Sequence, residues 1–338
     1  MKKLNFKFLL LLFSLSIFIS CSEDDSNNGK NPPIIDNVSL ASDPDLNPVT
    51  QGYANNMYII QGSGFSATQK IYFNDVDTYF NPTLVTDNAI FVTIDIETPY
   101  EGGSNKLIVV TKNGRAEYDF VVAPPAPIVQ SFQPVNAIEG DQITIYGNYF
   151  LNPTVTFDGI PVTIISNSLT EIVAIMPANA QHKYIEVETI SGSTSWGTAV
   201  GTAIYDDNFY APWDIESWNN HEYISDLSAA FQGTTFIKKE IPGWDNIQGN
   251  WNYDDQIAQY TGIKFAVRSD TPGKLVLIFN GSNWGNSSFS FNTTNEWTEV
   301  KFTWQQLNNP AALQNISFQE FTGQTHNYYF DNITYTID

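Results

Sequence analysis

The feature that most limits how this chain can fold is a repetition in its first two-thirds. Ile60-Gln-Gly-Ser-Gly-Phe65 returns as Ile145-Tyr-Gly-Asn-Tyr-Phe150. Ile71-Tyr-Phe-Asn-Asp-Val-Asp-Thr78 returns as Val155-Thr-Phe-Asp-Gly-Ile-Pro-Val162, and Leu107-Ile-Val-Val-Thr-Lys-Asn-Gly114 as Ile185-Glu-Val-Glu-Thr-Ile-Ser-Gly192. Order is preserved, so a unit of about 80–90 residues, a normal domain size, is duplicated in tandem. Within it, short β-branched and aromatic runs alternate with Gly, Asn, Asp and Pro, the pattern of strands and turns. Ile71-Tyr-Phe, Ile90–Ile94 and Leu107–Thr111 read as strands, and Lys112-Asn-Gly-Arg115 as a hairpin turn centred on Asn113-Gly114. Ala123-Pro-Pro-Ala-Pro127 joins the copies as an extended, semi-rigid spacer. Helical periodicity is absent except for single turns expected at Gln256–Thr261 or Gln305–Leu313.

The copies open on Pro-Ile followed by Ile or Val (Pro33-Ile34-Ile35, Pro127-Ile128-Val129), and the second carries Val155-Thr-Phe-Asp-Gly159. These marks resemble the immunoglobulin-like TIG (IPT) domains. The resemblance implies two Ig-like sandwiches, at 34–123 and 127–204, of a kind that usually acts as a spacer on bacterial surfaces. The first copy departs from the pattern, with Asn74-Asp75 in place of the usual glycine and a longer entry loop over residues 42–53.

The N-terminus reads as an export signal. Lys2 and Lys3 precede an apolar run, Phe8–Ile19, which is too short for the ~20 residues of a membrane span but fits a signal-peptide core. It ends at Phe18-Ile-Ser-Cys21, which resembles the bacterial lipobox. The chain has one Cys, so no internal disulfide can form. Residues 1–20 are therefore expected to be a cleaved leader, Cys21 the lipidation (palmitate-bearing) site, and residues 21–33 a flexible tether. Ser22-Glu-Asp-Asp25 resembles the acidic export signal of Bacteroidetes lipoproteins, which implies an outer-membrane anchor facing the cell exterior.

Charge narrows the partners. The formal net charge is −21, with no basic cluster beyond the isolated Lys238-Lys239. Nucleic acid and polyanionic glycans are disfavoured by repulsion, so neutral partners fit best.

Composition shifts near residue 205. Seven of the eight tryptophans lie beyond it, more than one small β core requires. In Trp297-Thr-Glu-Val-Lys-Phe-Thr-Trp304, period 2 puts Val300, Phe302 and Trp304 on one face, which marks Trp304 as core; Trp297 is read as packing at the strand entrance. Trp213, Trp218, Trp244, Trp251 and Trp284 instead sit among amides and carboxylates, with Tyr253 and Asn283 beside two of them. Indole covers the apolar face of a sugar ring, and amides and carboxylates satisfy its hydroxyls. Any one of these tryptophans can also be read as a pin for a long loop.

Two segments carry a further likeness. Glu296-Trp-Thr-Glu-Val-Lys-Phe302 and Tyr328-Tyr-Phe-Asp-Asn-Ile-Thr-Tyr335 resemble strands of β-sandwich (jelly-roll) carbohydrate-binding modules, which implies such a domain over 205–338. Asp206, Asp207 and Asp331 are candidates for a structural Ca²⁺ through oxygen ligands; no other cofactor is expected. The whole order resembles surface glycan-binding lipoproteins of Bacteroidetes polysaccharide-utilisation systems. That resemblance implies an all-β, non-catalytic binder of xyloglucan, another β-glucan or mannan, working beside an outer-membrane transporter and its glycan-binding lid protein. It implies membrane contact through lipid only.

Two other readings remain. Asp214/Glu216 or Asp254/Asp255 would be the carboxylates of a glycoside hydrolase, but residues two apart or adjacent seldom converge across one bond. Neither His221 nor His326 lies in a nucleophile-elbow context. A surface adhesin or assembly protein binding another protein would also use exposed tryptophan.

Overall fold

The computed structural model describes residues 31–249 and 254–338. The leader, Cys21, Ser22–Asp25, Trp251 and Tyr253 lie outside the described residues. Among those described, the regular elements are strands and three short 3-10 turns, so the expected all-β class holds. The chain forms two compact units, one ending at Pro124 and the other spanning Pro125–Asp338.

The first unit is a two-sheet sandwich. Strands Ile34–Leu40, Met57–Ser63 and Ala89–Thr93 make one sheet; Val76–Asp77, Thr68–Phe73, Lys106–Thr111 and Gly114–Asp119 make the other. Alternate residues of both face a core built on Val38, Ile60, Phe65, Ile71, Phe73, Ile90, Leu107 and Phe120. The second unit opens with the same arrangement. Ile128–Gln133, Gln142–Asn148, Glu171–Ile175 and Thr163–Asn167 face Ile160–Pro161, Thr154–Phe157, Tyr184–Thr189 and Gly192–Ala199 across Phe132, Ile145, Phe150, Phe157 and Val187.

The structure explains the repeated glycine. A Cβ on Gly62 would come 1.9 Å from the carbonyl oxygen of Ile34, and one on Gly147 would come 1.9 Å from that of Ile128. Each glycine lets the opening strand cross closely, beside a bulge at Ile35–Asn37 or Val129–Ser131. The hairpin after Lys106–Thr111 sits one residue earlier than expected. Thr111 pairs with Gly114, so Lys112-Asn113 is the loop and Gly114, at φ +151°, starts the return strand. The second copy does the same at Thr189 and Gly192. No helical turn forms at Gln256, which is in a strand paired with Ala312. After Thr303 there is one turn, closed by Leu307 N–H to the Thr303 carbonyl, and positive-φ Asn308 and Asn309 stop it.

The C-terminal domain is a sandwich of two antiparallel sheets. The larger is built around the 11-residue strand His326–Thr336. That strand pairs with Gly262–Ser269 along one edge and with Thr235–Ile241 and Ala203–Asp206 along the other. Thr298–Thr303, Glu222–Ser225 and Asn208–Phe209 complete it. The smaller runs Asn246–Gln248, Ile316–Glu320, Gly273–Phe279 and Ser290–Thr293. Phe265, Leu275, Leu277, Phe318, Tyr328 and Phe330 fill the space between.

No linker separates this domain from the Ig-like domain before it. Ala203 packs in the Ig-like core, while the next residues, Ile204 and Tyr205, pack in the C-terminal one. Polar bonds close the junction. The Asn136 side chain exchanges two hydrogen bonds with the Ala203 backbone at 2.8 and 2.9 Å, and Val135 N–H donates to Asp206 Oδ2 at 2.8 Å. The Gln232 amide donates to the Phe132 carbonyl and accepts from Trp196 Nε1. Asp206 is 3% exposed, and burial pushes its carboxyl up to about 7, against the pull of the Val135 N–H. Burial also raises Asp331 well above the carboxylate range.

Two outcomes are expected. Gly147→Ala must displace the Ile128 carbonyl, so it should destabilise the second unit well beyond the ~1 kcal/mol of an ordinary substitution, as read by urea unfolding. An acid whose folded pKa lies above its unfolded value of 3.8 favours the fold when protonated. That stability is complete below about pH 4 and is lost as pH rises towards about 7. The melting temperature should therefore fall between about pH 4 and pH 7, and Asp206→Asn should flatten the slope. An unchanged slope in the variant would place the titration elsewhere.

Candidate functional site

The indole N–H sorts the tryptophans. Nε1 of Trp196 donates to Gln232, that of Trp213 to Asp255 Oδ2 at 2.8 Å, that of Trp297 to the Ala229 carbonyl and that of Trp304 to the Tyr260 carbonyl. Among the described residues, Nε1 of Trp218, Trp244 and Trp284 has no acceptor, and these residues are 58%, 57% and 37% exposed. Trp213 is therefore not a stacking residue: it is 7% exposed, part of the core, and tied to a carboxylate that also accepts from Tyr335. Trp304 packs on the core as its spacing implies, and Trp297 lies under the Arg268 guanidinium at 5.1 Å.

The three exposed indoles are carried by segments pinned to two neighbouring strands, Asn246–Gln248 and Ile316–Glu320. Trp218 sits on the 3-10 turn Ser217–Asn219. Buried Asn219 ties that turn to the sheet, accepting from Gln248 N–H at 2.9 Å and donating to the Gln248 carbonyl at 3.1 Å. Trp244 lies in the turn leading into Asn246–Gln248, at φ +69°, a backbone region a bulky side chain enters only when its surroundings hold it there. The holder is Glu320. Its fully buried carboxylate accepts from the backbone N–H groups of Trp244, Thr322 and Gly323 and from the Thr322 hydroxyl. Burial alone would raise this carboxyl; the donors outweigh it and hold it below its ordinary value. The Trp244 ring meets Phe321 edge-on at 5.2 Å and lies so near Gly323 that a Cβ there would come within 2.9 Å of its Nε1.

Trp284 lies in the loop between Gly273–Phe279 and Ser290–Thr293. Asn283 fixes that loop by donating to the Leu277 carbonyl at 3.1 Å and accepting from Ser282, so its amide is a structural tie and not a free ligand group. Gln319 joins the two tryptophan loops. Its Oε1 accepts from Gly285 N–H at 2.9 Å, and its Nε2 donates to the Trp244 carbonyl at 3.2 Å. Across the sheet, Gln319 stands opposite Asn246 on one side and Val276 on the other.

The three aspartates proposed for Ca²⁺ are engaged separately. Asp207 accepts from Thr234 and Thr235, Asp331 from Phe231, Gln232 and Asn332, and Asp206 from Val135. Among the described residues, no group of three or more His, Cys, Asp or Glu is placed to hold a metal. Of the carboxylates considered for hydrolysis, Asp255 is committed to Trp213 and Tyr335. His326 bonds Thr271 and Thr322, and burial lowers the pKa of His221.

Gln319 and Glu320 were not singled out from the sequence, although a signal for Glu320 existed. In Ile316-Ser-Phe-Gln-Glu320, period 2 sets the carboxylate on the apolar face with Ile316 and Phe318. A charge there needs several donors. Gln319→Ala should loosen both loops while costing only about 1–2 kcal/mol of stability. Hydrogen exchange at Gly285 should quicken, and acrylamide should quench more tryptophan fluorescence. Exchange as slow as in the parent protein would mean the loops hold without the bridge.

Residues 204–338 match the family model described as the expansin-like protein C-terminal domain, and residues 127–202 match the IPT/TIG domain. An IPT/TIG domain-containing protein of Bacteroides ovatus is 28% identical over 214 residues, 54% of this chain. The match covers 42% of that relative, so the chain spans about two-fifths of the relative's length. Among solved structures, the surface glycan-binding protein PbSGBP-B from Prevotella bryantii aligns with 91% of this chain and 99% of its own, at 17% identity and TM-score 0.48. SGBP-B from a complex xyloglucan utilization locus in Bacteroides uniformis aligns with 90% of this chain and 99% of its own, at 14% identity and TM-score 0.33. The second compact unit is thus a segment similar to IPT/TIG domains, running without a linker into one similar to expansin-like C-terminal domains.

Proposed function

We propose that this chain captures a neutral polysaccharide at the cell surface without cleaving it, by stacking sugar rings on Trp218, Trp244 and Trp284. The observation that carries this is the division of the described indoles: four donate their N–H to acceptors inside the protein, while three are exposed rings on loops fixed in advance by Asn219, Glu320 and Gln319. A ring held in place loses little conformational freedom when a sugar lands on it. Xyloglucan, other β-glucans and mannans are the classes to test, in keeping with the net charge of −21. In this reading Cys21 is lipidated and anchors the chain to the outer face of the outer membrane. The chain hands its glycan to a transporter and its lid protein, and many weak sites on one surface add avidity.

Affinity electrophoresis in xyloglucan, mixed-linkage β-glucan, galactomannan and xylan is the test. At least one neutral glucan or mannan should retard the protein. Trp244→Ala with Trp284→Ala should weaken that retardation at least tenfold, about 1.4 kcal/mol, with the melting temperature held. Trp213→Ala, by contrast, should cost about 3–5 kcal/mol of stability. Undiminished retardation in the double variant would remove these tryptophans from the site, and release of reducing ends at catalytic rates would make the protein a hydrolase.

A further inference from the structure

The tryptophan loops are not the chain's one aromatic surface with free polar groups. Strand Glu222–Ser225 is an edge of the larger sheet, and its register with Thr235–Ile241 puts Tyr223 opposite Ile237, on the side of the core. Tyr223 is nonetheless 46% exposed. Its ring lies nearly parallel to that of Tyr205, with centroids 6.3 Å apart, and Tyr205 meets Phe209 at 4.8 Å. Beside it opens a groove of about 560 Å³ that includes Asn208, Phe209 and Asp214, a size typical of small-molecule sites.

Much of this lining is already satisfied. Asp207 is occupied by Thr234 and Thr235, and the Ser225 hydroxyl pairs with that of Thr235. Among the described residues, the Tyr223 phenol and the Asn208 amide form no hydrogen bond, and Asp214 uses Oδ1 alone, on Ile215 N–H. A second groove, of about 260 Å³, shares Asp207 and Asn208 and continues onto the Ig-like domain, past Gln142 and Thr144. Buried Asp206 also lines it. The two linings hold three carboxylates and no Lys, Arg or His.

We propose that the two grooves form a second saccharide-binding channel, independent of the tryptophan loops and crossing from the C-terminal domain onto the Ig-like domain. Tyr223 stacks on a sugar ring; Asn208 and Asp214 take hydroxyls of that sugar, and Gln142 and Thr144 take those of the next units. The acidic lining disfavours uronic and phosphorylated sugars, so the ligand is a neutral oligosaccharide. The Ig-like domain then contacts ligand as well as providing spacing.

The test is calorimetric titration of the full chain with cellohexaose, mannohexaose and a xylogluco-oligosaccharide, in the parent protein and in Trp244→Ala/Trp284→Ala. The tryptophan variant should still bind one of these probes. Adding Tyr223→Ala, or the exposed pair Asn208→Ala/Gln142→Ala, should weaken that binding at least tenfold. The Asn208/Gln142 pair lies outside both cores, so its result does not depend on a folding defect. No binding by the tryptophan variant, or binding that these changes leave intact, overturns the channel. Polysaccharide retardation separately tests the tryptophan reading, so either site can fail alone.

Discussion

The second unit depends on one short strand shared between two hydrophobic cores. Ala203 belongs to the Ig-like core and Ile204 and Tyr205 to the C-terminal one, so the chain has no freely rotating residue between the domains. Apolar burial alone would leave the backbone polar groups there unpaired, which a buried segment cannot tolerate. Asn136 satisfies both groups of Ala203, and Asp206 takes the Val135 N–H. The buried acids at this junction are a cost the fold carries at neutral pH in return for fixed geometry.

The exposed indoles depend on the same principle at smaller scale. Strand Ile316–Glu320 places successive side chains on opposite faces. Glu320, turned inward, gathers five donors, the Tyr328 hydroxyl among them, and shapes the turns bearing Trp244 and Phe321; Gln319, turned outward, links that turn to the loop bearing Trp284. Two neighbouring residues thus set the position of two separate aromatic loops.

Much of the fold was legible in the sequence because its causes are local. The duplicated Gly62 and Gly147 sit where a Cβ would strike a carbonyl, and Val300, Phe302 and Trp304 follow the strand period to the core. The site was legible only in part. Trp213 looked like a ligand platform because Asp214 and Glu216 flank it. What buries it includes Asp255 and Tyr335, 42 residues from the indole in one case and 80 residues from Asp255 in the other, contacts that no window along the chain contains. Asn283 misled for a related reason: an amide-rich loop resembles a sugar site whether its amides face solvent or close on their own backbone, as this one does on Leu277. The hairpin at Gly114 was seen but set one residue out of place, because the pairing of Thr111 with Gly114 depends on the facing strand.

The fixed turn at Trp244 has a kinetic consequence. A ring already held at φ +69° by Glu320, against Gly323, need not reorganise when a ligand arrives, so encounter is governed by diffusion and by the charge of the approaching chain. Sequence change around the ring would then act mainly on how long a bound segment stays. Under the proposed capture of a polysaccharide, residence time is the property such a turn would tune.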